Sequence, residues 1–287
     1  MAKKLDKAID FHVHAFPDAI AARAISSLEA AAPWKATAGG TVADLVASMD
    51  QAGVAASVVC AIATKPDQAE GILSWCRSIR TDRVIPLPSV HPKTPDAPAF
   101  LAKIAREGFP GIKLHPMYQE FAFDDPQMDA IYQAAIDCGL FIVSHCGNDV
   151  AFPDDDRASA VRIRRVLDKF PGLKLVCTHM GGWRDWQSSL ENLAGRDVYM
   201  ETSFSIGQMP AELFGEFIAR HGIDRIMMGS DWPWARQDST VQDIKSLGLD
   251  RKQTSAILHG NARRLLGCQS SITSSTLKAV HPAHRLP

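Results

Sequence analysis

Eight short apolar runs rich in β-branched residues recur along the chain, each ending in polar or small residues and followed by a helix-like pattern. They cover residues 8–12, 57–62, 84–90, 111–115, 140–145, 174–179, 198–202 and 225–230. The runs are continuously apolar and do not alternate, which is the signature of parallel strands covered on both faces. Eight such strands separated by helices predict an α/β fold with a closed (β/α)8 TIM barrel. At 287 residues, with 46% hydrophobic side chains, the chain is long enough to bury the core of one such barrel. The expected organisation is a catalytic barrel over residues 1–267 and a Ser-, Thr- and Pro-containing tail over 268–287.

Helix punctuation agrees with this frame. Thr41 is placed to cap a helix that Gly53 ends, with Val42, Leu45, Val46 and Met49 at helical spacing between them. Asp125 and Pro126 open another helix before Gly139, and Pro210 opens a third. Residues 250–266 read as a terminal helical region broken at Gly260, with Asn261 capping its last part.

Charge excludes some partners. The formal net charge of -1, from 31 basic and 32 acidic residues, gives no field that would gather nucleic acid or an anionic membrane. A small-molecule partner is expected instead. No apolar stretch approaches the roughly 20 residues that span a bilayer, and the basic N-terminus lacks the apolar core of a signal peptide. Six scattered cysteines with no Cys-x-x-Cys pair suit reduced thiols, so a cytoplasmic location is expected.

Histidines mark the strand ends. In Asp10-Phe11-His12-Val13-His14, strand alternation sends His12 and His14 to the same side, where two imidazoles can chelate one metal. His115, His145 and His179 end three later runs, and Asp231 ends the eighth. In a barrel these ends converge on the C-terminal face, where the active sites of this architecture are built. Imidazoles with one carboxylate suit zinc or another borderline divalent ion better than calcium or magnesium. Each histidine alone is more often a buried, hydrogen-bonded core residue; five at strand ends favour a site.

These motifs resemble a known family. His-x-His on the first strand, His on the fifth and sixth and Asp on the eighth resemble the amidohydrolase superfamily. Gly-Ile-Lys-Leu-His-Pro, His-Met-Gly-Gly, Gly-Ser-Asp-Trp-Pro and the late Gly260-Asn261-Ala262-Arg263-Arg264-Leu265-Leu266 are similar to its amidohydrolase-2 branch. That branch includes aminocarboxymuconate-semialdehyde decarboxylase-like enzymes, resorcylate-type decarboxylases and dicarboxylate lactonases, and the resemblance spans residues 8–267.

The resemblance implies one divalent metal, zinc or manganese, held by His12, His14, His145 and Asp231. It implies a small carboxylated substrate, beside which His179 would polarise or protonate the reacting group. A water activated by the metal would be the reagent, with Asp231 moving its proton. Two reactions fit: hydrolysis of a lactone, ester or amide, or non-oxidative decarboxylation. A non-catalytic binding protein is disfavoured because every expected ligand position is filled. The resemblance also admits a homodimer, without locating an interface.

Lys113, His115, Glu201 and Trp232 are the candidate substrate contacts. Lys113 is read as a contact to a substrate carboxylate, as half of an internal salt bridge, or, when carboxylated, as a bridge to a second metal. His115 is placed to touch substrate or metal or to form a pocket wall. Glu201 is read either as support for the site or as a direct contact. Trp183, Trp232 and Trp234 are expected as pocket walls, and Arg184 and Arg236 as candidate carboxylate partners. His91 is a candidate pocket residue; His221 is expected as a cation at a helix C-terminus. Cys146 is expected to face the helices and Cys177 the barrel interior.

Overall fold

The computed structural model describes residues 7–267. All eight expected strands are present: β1 (Ala8–Val13), β2 (Val54–Cys60), β3 (Val84–Leu87), β4 (Gly111–Leu114), β5 (Phe141–Ser144), β6 (Leu175–Cys177), β7 (Tyr199–Glu201) and β8 (Ile226–Met227). Between and after them run α1 (Asp18–Ala31), α2 (Val42–Ala52), α3 (Ala69–Ile79), α4 (Ala97–Arg106), α5 (Asp129–Asp137), α6 (Ala160–Lys169), α7 (Trp186–Leu193), α8 (Ala211–His221), α9 (Gln237–Lys245), α10 (Arg251–Ser255) and α11 (Asn261–Leu265). The expected tail, 268–287, lies outside the described residues.

Every strand pairs in parallel with its successor within β1–β3 and within β4–β8. Backbone bonds tie the two arcs together. Lys113 N donates to Pro88 O at one seam; Phe11 N donates to Met228 O and His14 N to Trp232 O at the other. The TIM-barrel expectation therefore holds.

Two apolar layers follow from the alternation of side chains. Ile112, Leu114, Ile142 and Leu175 pack outward against helix residues such as Leu45, Leu73, Leu101 and Ile163. Phe11, Val58, Val143, Val176 and Met227 fill the barrel, with Ala262 of α11 among them. The seam at β8 carries a polar staple. Asp10 accepts from the Ser230 amide and hydroxyl and from Gln237 Nε2, and burial raises its carboxyl to about 6 against these bonds.

Local signals behave as expected at α2, where Thr41 and Asp44 form a reciprocal capping box and Gly53 closes the helix in the left-handed region, φ 69°. The terminal region differs. Residues Ala256–Gly260 continue it as a π-helical turn, and Asn261 does not cap. Its amide instead donates to Ile223 O and Ile226 O, latching the last helix to β8.

Candidate metal centre

Between Asp10 and Val13, β1 carries one residue more than its partner: Asp10 pairs with Ser57 but Val13 with Val59, so three steps on β1 match two on β2. Such a bulge reverses the alternation at one point. Phe11 faces inward and packs on Phe141, and His12, immediately after it, also faces the barrel mouth. His14 then follows His12 on the same side, as alternation requires.

Hydrogen bonds fix the ring nitrogens that remain available. His12 Nδ1–H donates to Glu201 Oε1 at 3.1 Å, and His14 Nδ1–H donates to the Cys60 carbonyl at 3.0 Å. Each Nε2 is left as a lone pair, and the two lie 3.1 Å apart. Asp231 Oδ1 is 3.1 Å from His14 Nε2 and 3.6 Å from His12 Nε2, buried and without a hydrogen-bond partner. Three acceptors facing one another repel unless a cation stands among them, and the Lys113 ammonium meets only one of the three, His12 Nε2 at 3.1 Å. Two ligands at ~2.0–2.1 Å from a tetrahedral ion are separated by about 3.3 Å, and the observed spacings bracket that value. Burial, then the nearby Lys113 charge, pushes His12 well below its ordinary pKa and keeps it neutral. Burial alone would raise the Asp231 carboxyl, but the positive charge that His12 and His14 carry when protonated outweighs it and holds the group below the carboxylate range.

His145 and His179 repeat the pattern across the mouth. His145 Nε2–H donates to Asn148 O, and His179 Nδ1–H is placed against the Ser203 carbonyl and hydroxyl. Their free atoms, His145 Nδ1 and His179 Nε2, meet at 3.2 Å. Burial first, and then neighbouring charges, lowers His145 to about 3 and His179 to about 4. The structure thus pairs His145 more closely with His179 than with the His12, His14 and Asp231 group. With its proton on Nδ1, His179 offers an acceptor, and must take up a proton before it can donate one. Its φ of 56°, like the 64° of Asp231, lies in a region rare for such residues.

The other candidates divide. Lys113 is buried with Nζ 3.1 Å from His12 Nε2, where its ammonium donates to the same lone pair that a metal would take. His115 stacks on His145 and pairs with Asp149, Nε2 to Oδ2 3.3 Å. Glu201 is fully buried and does not line the cavity. It takes bonds from His12 Nδ1, the amides of His179 and Ser203 and the Ser203 hydroxyl, so it supports the site. Trp232 is not a wall: with Asp231 turned inward, its neighbour turns outward into the helix layer and is 1% exposed. Trp183 and Trp234 do line the cavity.

Cys177 packs outward with Cys146, because the chain turns inward only after it, in the 3-10 turn His179–Gly181. His221 ends α8 as expected, but burial lowers it to about 4 and leaves it neutral, accepting from Gly195 N. His91 lies off the cavity and accepts from Lys93 N.

Asp149, Trp34 and Phe204 line the cavity without having been singled out in the sequence. Asp149 stands four residues beyond His145, and an acidic residue so close behind a strand-end histidine is the signal that points to it. The cavity measures about 530 Å³.

The model of the amidohydrolase family matches residues 9–268. The chain belongs to the amidohydrolase family. No curated protein matches its sequence. Among solved structures, this amidohydrolase resembles a TIM-barrel protein of uncharacterised function from Bordetella bronchiseptica, with 20% identity, TM-score 0.75, and 91% of this chain and 98% of that chain covered. It also resembles a protein from Pseudomonas putida assigned as a 2-pyrone-4,6-dicarboxylic acid hydrolase, with 19% identity, TM-score 0.65, and 92% and 99% covered. A third is 5-carboxyvanillate decarboxylase from Novosphingobium aromaticivorans with bound manganese, with 15% identity, TM-score 0.66, and 93% and 99% covered. At these identities the likeness shows the fold. Among the described residues, no helix is long and apolar enough to cross a membrane.

Proposed function

We propose that this amidohydrolase holds one divalent ion, zinc or manganese, and hydrolyses a lactone, ester or amide bond of a small carboxylated substrate. The convergence of His12 Nε2, His14 Nε2 and Asp231 Oδ1 carries this reading. His145 is the fourth donor, offering Nδ1 from across the mouth. A dication bound there would polarise a carbonyl and lower the pKa of water towards about 7.

The chain's own residues do the rest. Glu201 and the Cys60 carbonyl hold His12 and His14 with Nε2 towards the cavity. Asp231 stays ionised at the mouth and is placed to take a proton from the attacking water. That proton returns to the leaving oxygen or nitrogen as its bond to the carbonyl carbon breaks, and His179 Nε2, its other nitrogen occupied by Ser203, is placed to relay it. Aromatic walls, Trp34, Trp183 and Phe204 among them, exclude bulk water from this end.

One observation favours a second reaction on the same residues. Lys113 is the only lysine or arginine lining the cavity among the described residues. A hydrolase substrate with a carboxylate remote from its reacting bond would need another cation, whereas a decarboxylase substrate presents its carboxylate as the reacting group. The test is a screen of lactones and of aromatic and unsaturated carboxylic acids, scored for ring opening against carbon dioxide release. Ring opening supports hydrolysis; carbon dioxide release alone replaces it with the carboxy-lyase.

A further inference from the structure

A (β/α)8 barrel needs one helix after each strand, and after β1 that helix is α2, whose Leu45 and Met49 sit in the outer apolar layer. α1 is extra. It is the longest helix among the described residues, yet Ala21 is the only one of its residues to be buried, and it adds nothing to either apolar layer. It follows the strand end that carries His14 and lies over the cavity, which Ile20, Leu28 and, just beyond the helix, Trp34 help to line.

The ends of this segment are tied down and its middle is not. Phe16 N donates to Gly40 O at 2.9 Å, and Thr37 donates through N and Oγ1 to Pro233 O at 2.7 and 2.9 Å. Gly40, φ 76°, takes a conformation that suits glycine, and a Cβ there would stand 2.9 Å from Ile25 Cδ1 and 3.3 Å from the Phe16 ring. Between these ties, among the described residues, every hydrogen bond and ion pair of residues 17–36 has both partners inside the segment. Glu29, for instance, accepts from Ala36 N and pairs with Lys35.

Trp34 is what holds the segment to the other side of the mouth. Its ring meets Trp183 and Phe204 edge-on, with centroids 5.7 and 5.6 Å away. Arg184, read from the sequence with Arg236 as a carboxylate partner, lies 5.9 Å over the Trp34 ring and 4.4 Å over that of Trp183, while Arg236 pairs with Asp238. Two ring pairs and one cation over a ring favour closure by roughly ten- to a thousandfold. That leaves the open form within the range of ordinary minor conformers.

We propose that residues 17–36 form a flap across the mouth, hinged where Phe16 meets Gly40 and latched by Trp34, which opens as a unit while the barrel stays folded. Opening carries Ile20, Leu28 and Trp34 off the cavity together, so ligands enter and leave through that state. The inference depends neither on the reaction nor on the metal.

Hydrogen exchange of the full-length, metal-free protein, read by mass spectrometry, is the test. The α1 amides are expected to show protection of roughly ten- to a thousandfold, and the α2 amides to exchange far more slowly. Trp34→Ala should lower α1 protection on the order of tenfold and leave α2 unchanged. Arg184→Ala, at an exposed position, should lower it roughly two- to fivefold. Exchange in α1 as slow as in α2, or α1 protection within about twofold of the unsubstituted protein in both variants, overturns the inference. In zinc-loaded protein both variants should speed zinc uptake and zinc loss to EDTA alike, with affinity within about twofold. Unchanged rates beside faster α1 exchange overturn the role in ligand entry. A protein that binds no zinc removes the metal centre, while the exchange measurements, which need no ion, still decide the flap.

Discussion

Glu201→Gln is the substitution that probes the site without touching an atom proposed to bind metal. Glu201 Oε1 accepts from His12 Nδ1, the His179 amide and the Ser203 hydroxyl, while Oε2 accepts from the Ser203 amide. All four partners are donors. A glutamine must place its NH₂ either against three donors or against one, so the better arrangement still faces Ser203 N–H with another N–H. One unsatisfied buried donor costs about 1–3 kcal/mol. His12 also loses the carboxylate that orients its ring and raises its basicity, a change that lowers metal affinity by roughly 10–100-fold in such triads. Competition against a chromophoric chelator reads the affinity, and urea unfolding in EDTA reads the stability. Metal affinity within twofold of the unsubstituted protein would refute the claim that Glu201 sets the His12 tautomer.

Three further outcomes are expected. Gly229→Ala places a Cβ 1.8 Å from Glu201 Oε2 and 3.2 Å from His12 Cβ; metal affinity should fall and stability drop by about 1–3 kcal/mol in a urea melt. Asn261→Ala removes the amide that donates to the Ile223 and Ile226 carbonyls and should cost about 1–3 kcal/mol with metal affinity unchanged. In the metal-free protein, stability should fall as pH drops from about 6.5 towards 4, read as a falling urea midpoint. His145, His179 and His221 stay neutral when folded, near 3, 4 and 4, and take up protons only on unfolding. Each steepens the fall by up to about 1.4 kcal/mol per pH unit. Asp10, raised to about 6, works in the opposite direction between that value and the ordinary carboxylate range and offsets one of them.

How far the sequence carries is clearest at β1. Strict alternation correctly puts His12 and His14 together, but it cannot show that an extra residue lets Phe11 face inward as well, because a bulge changes no residue type. The same limit explains Cys177: the period of two was carried through Thr178, whereas the backbone leaves the strand there and turns at His179 with φ 56°. Trp232 was read from its place after a strand end, yet the inward turn of Asp231 commits its neighbour to the outer layer. Strand positions were legible because a barrel strand must be apolar on both faces, a requirement written in composition. The bonds of Glu201 to His12, 189 residues away in sequence, were not, because they depend on which strands become neighbours.

Diffraction at the absorption edge of the bound ion tests the central claim most directly. An anomalous peak about 2.0–2.2 Å from His12 Nε2, His14 Nε2 and an Asp231 carboxylate oxygen is the predicted result. A peak seated instead among His115, His145 and Asp149, another group of donors near the mouth, would contradict it, as would a metal-replete crystal with no peak at either place.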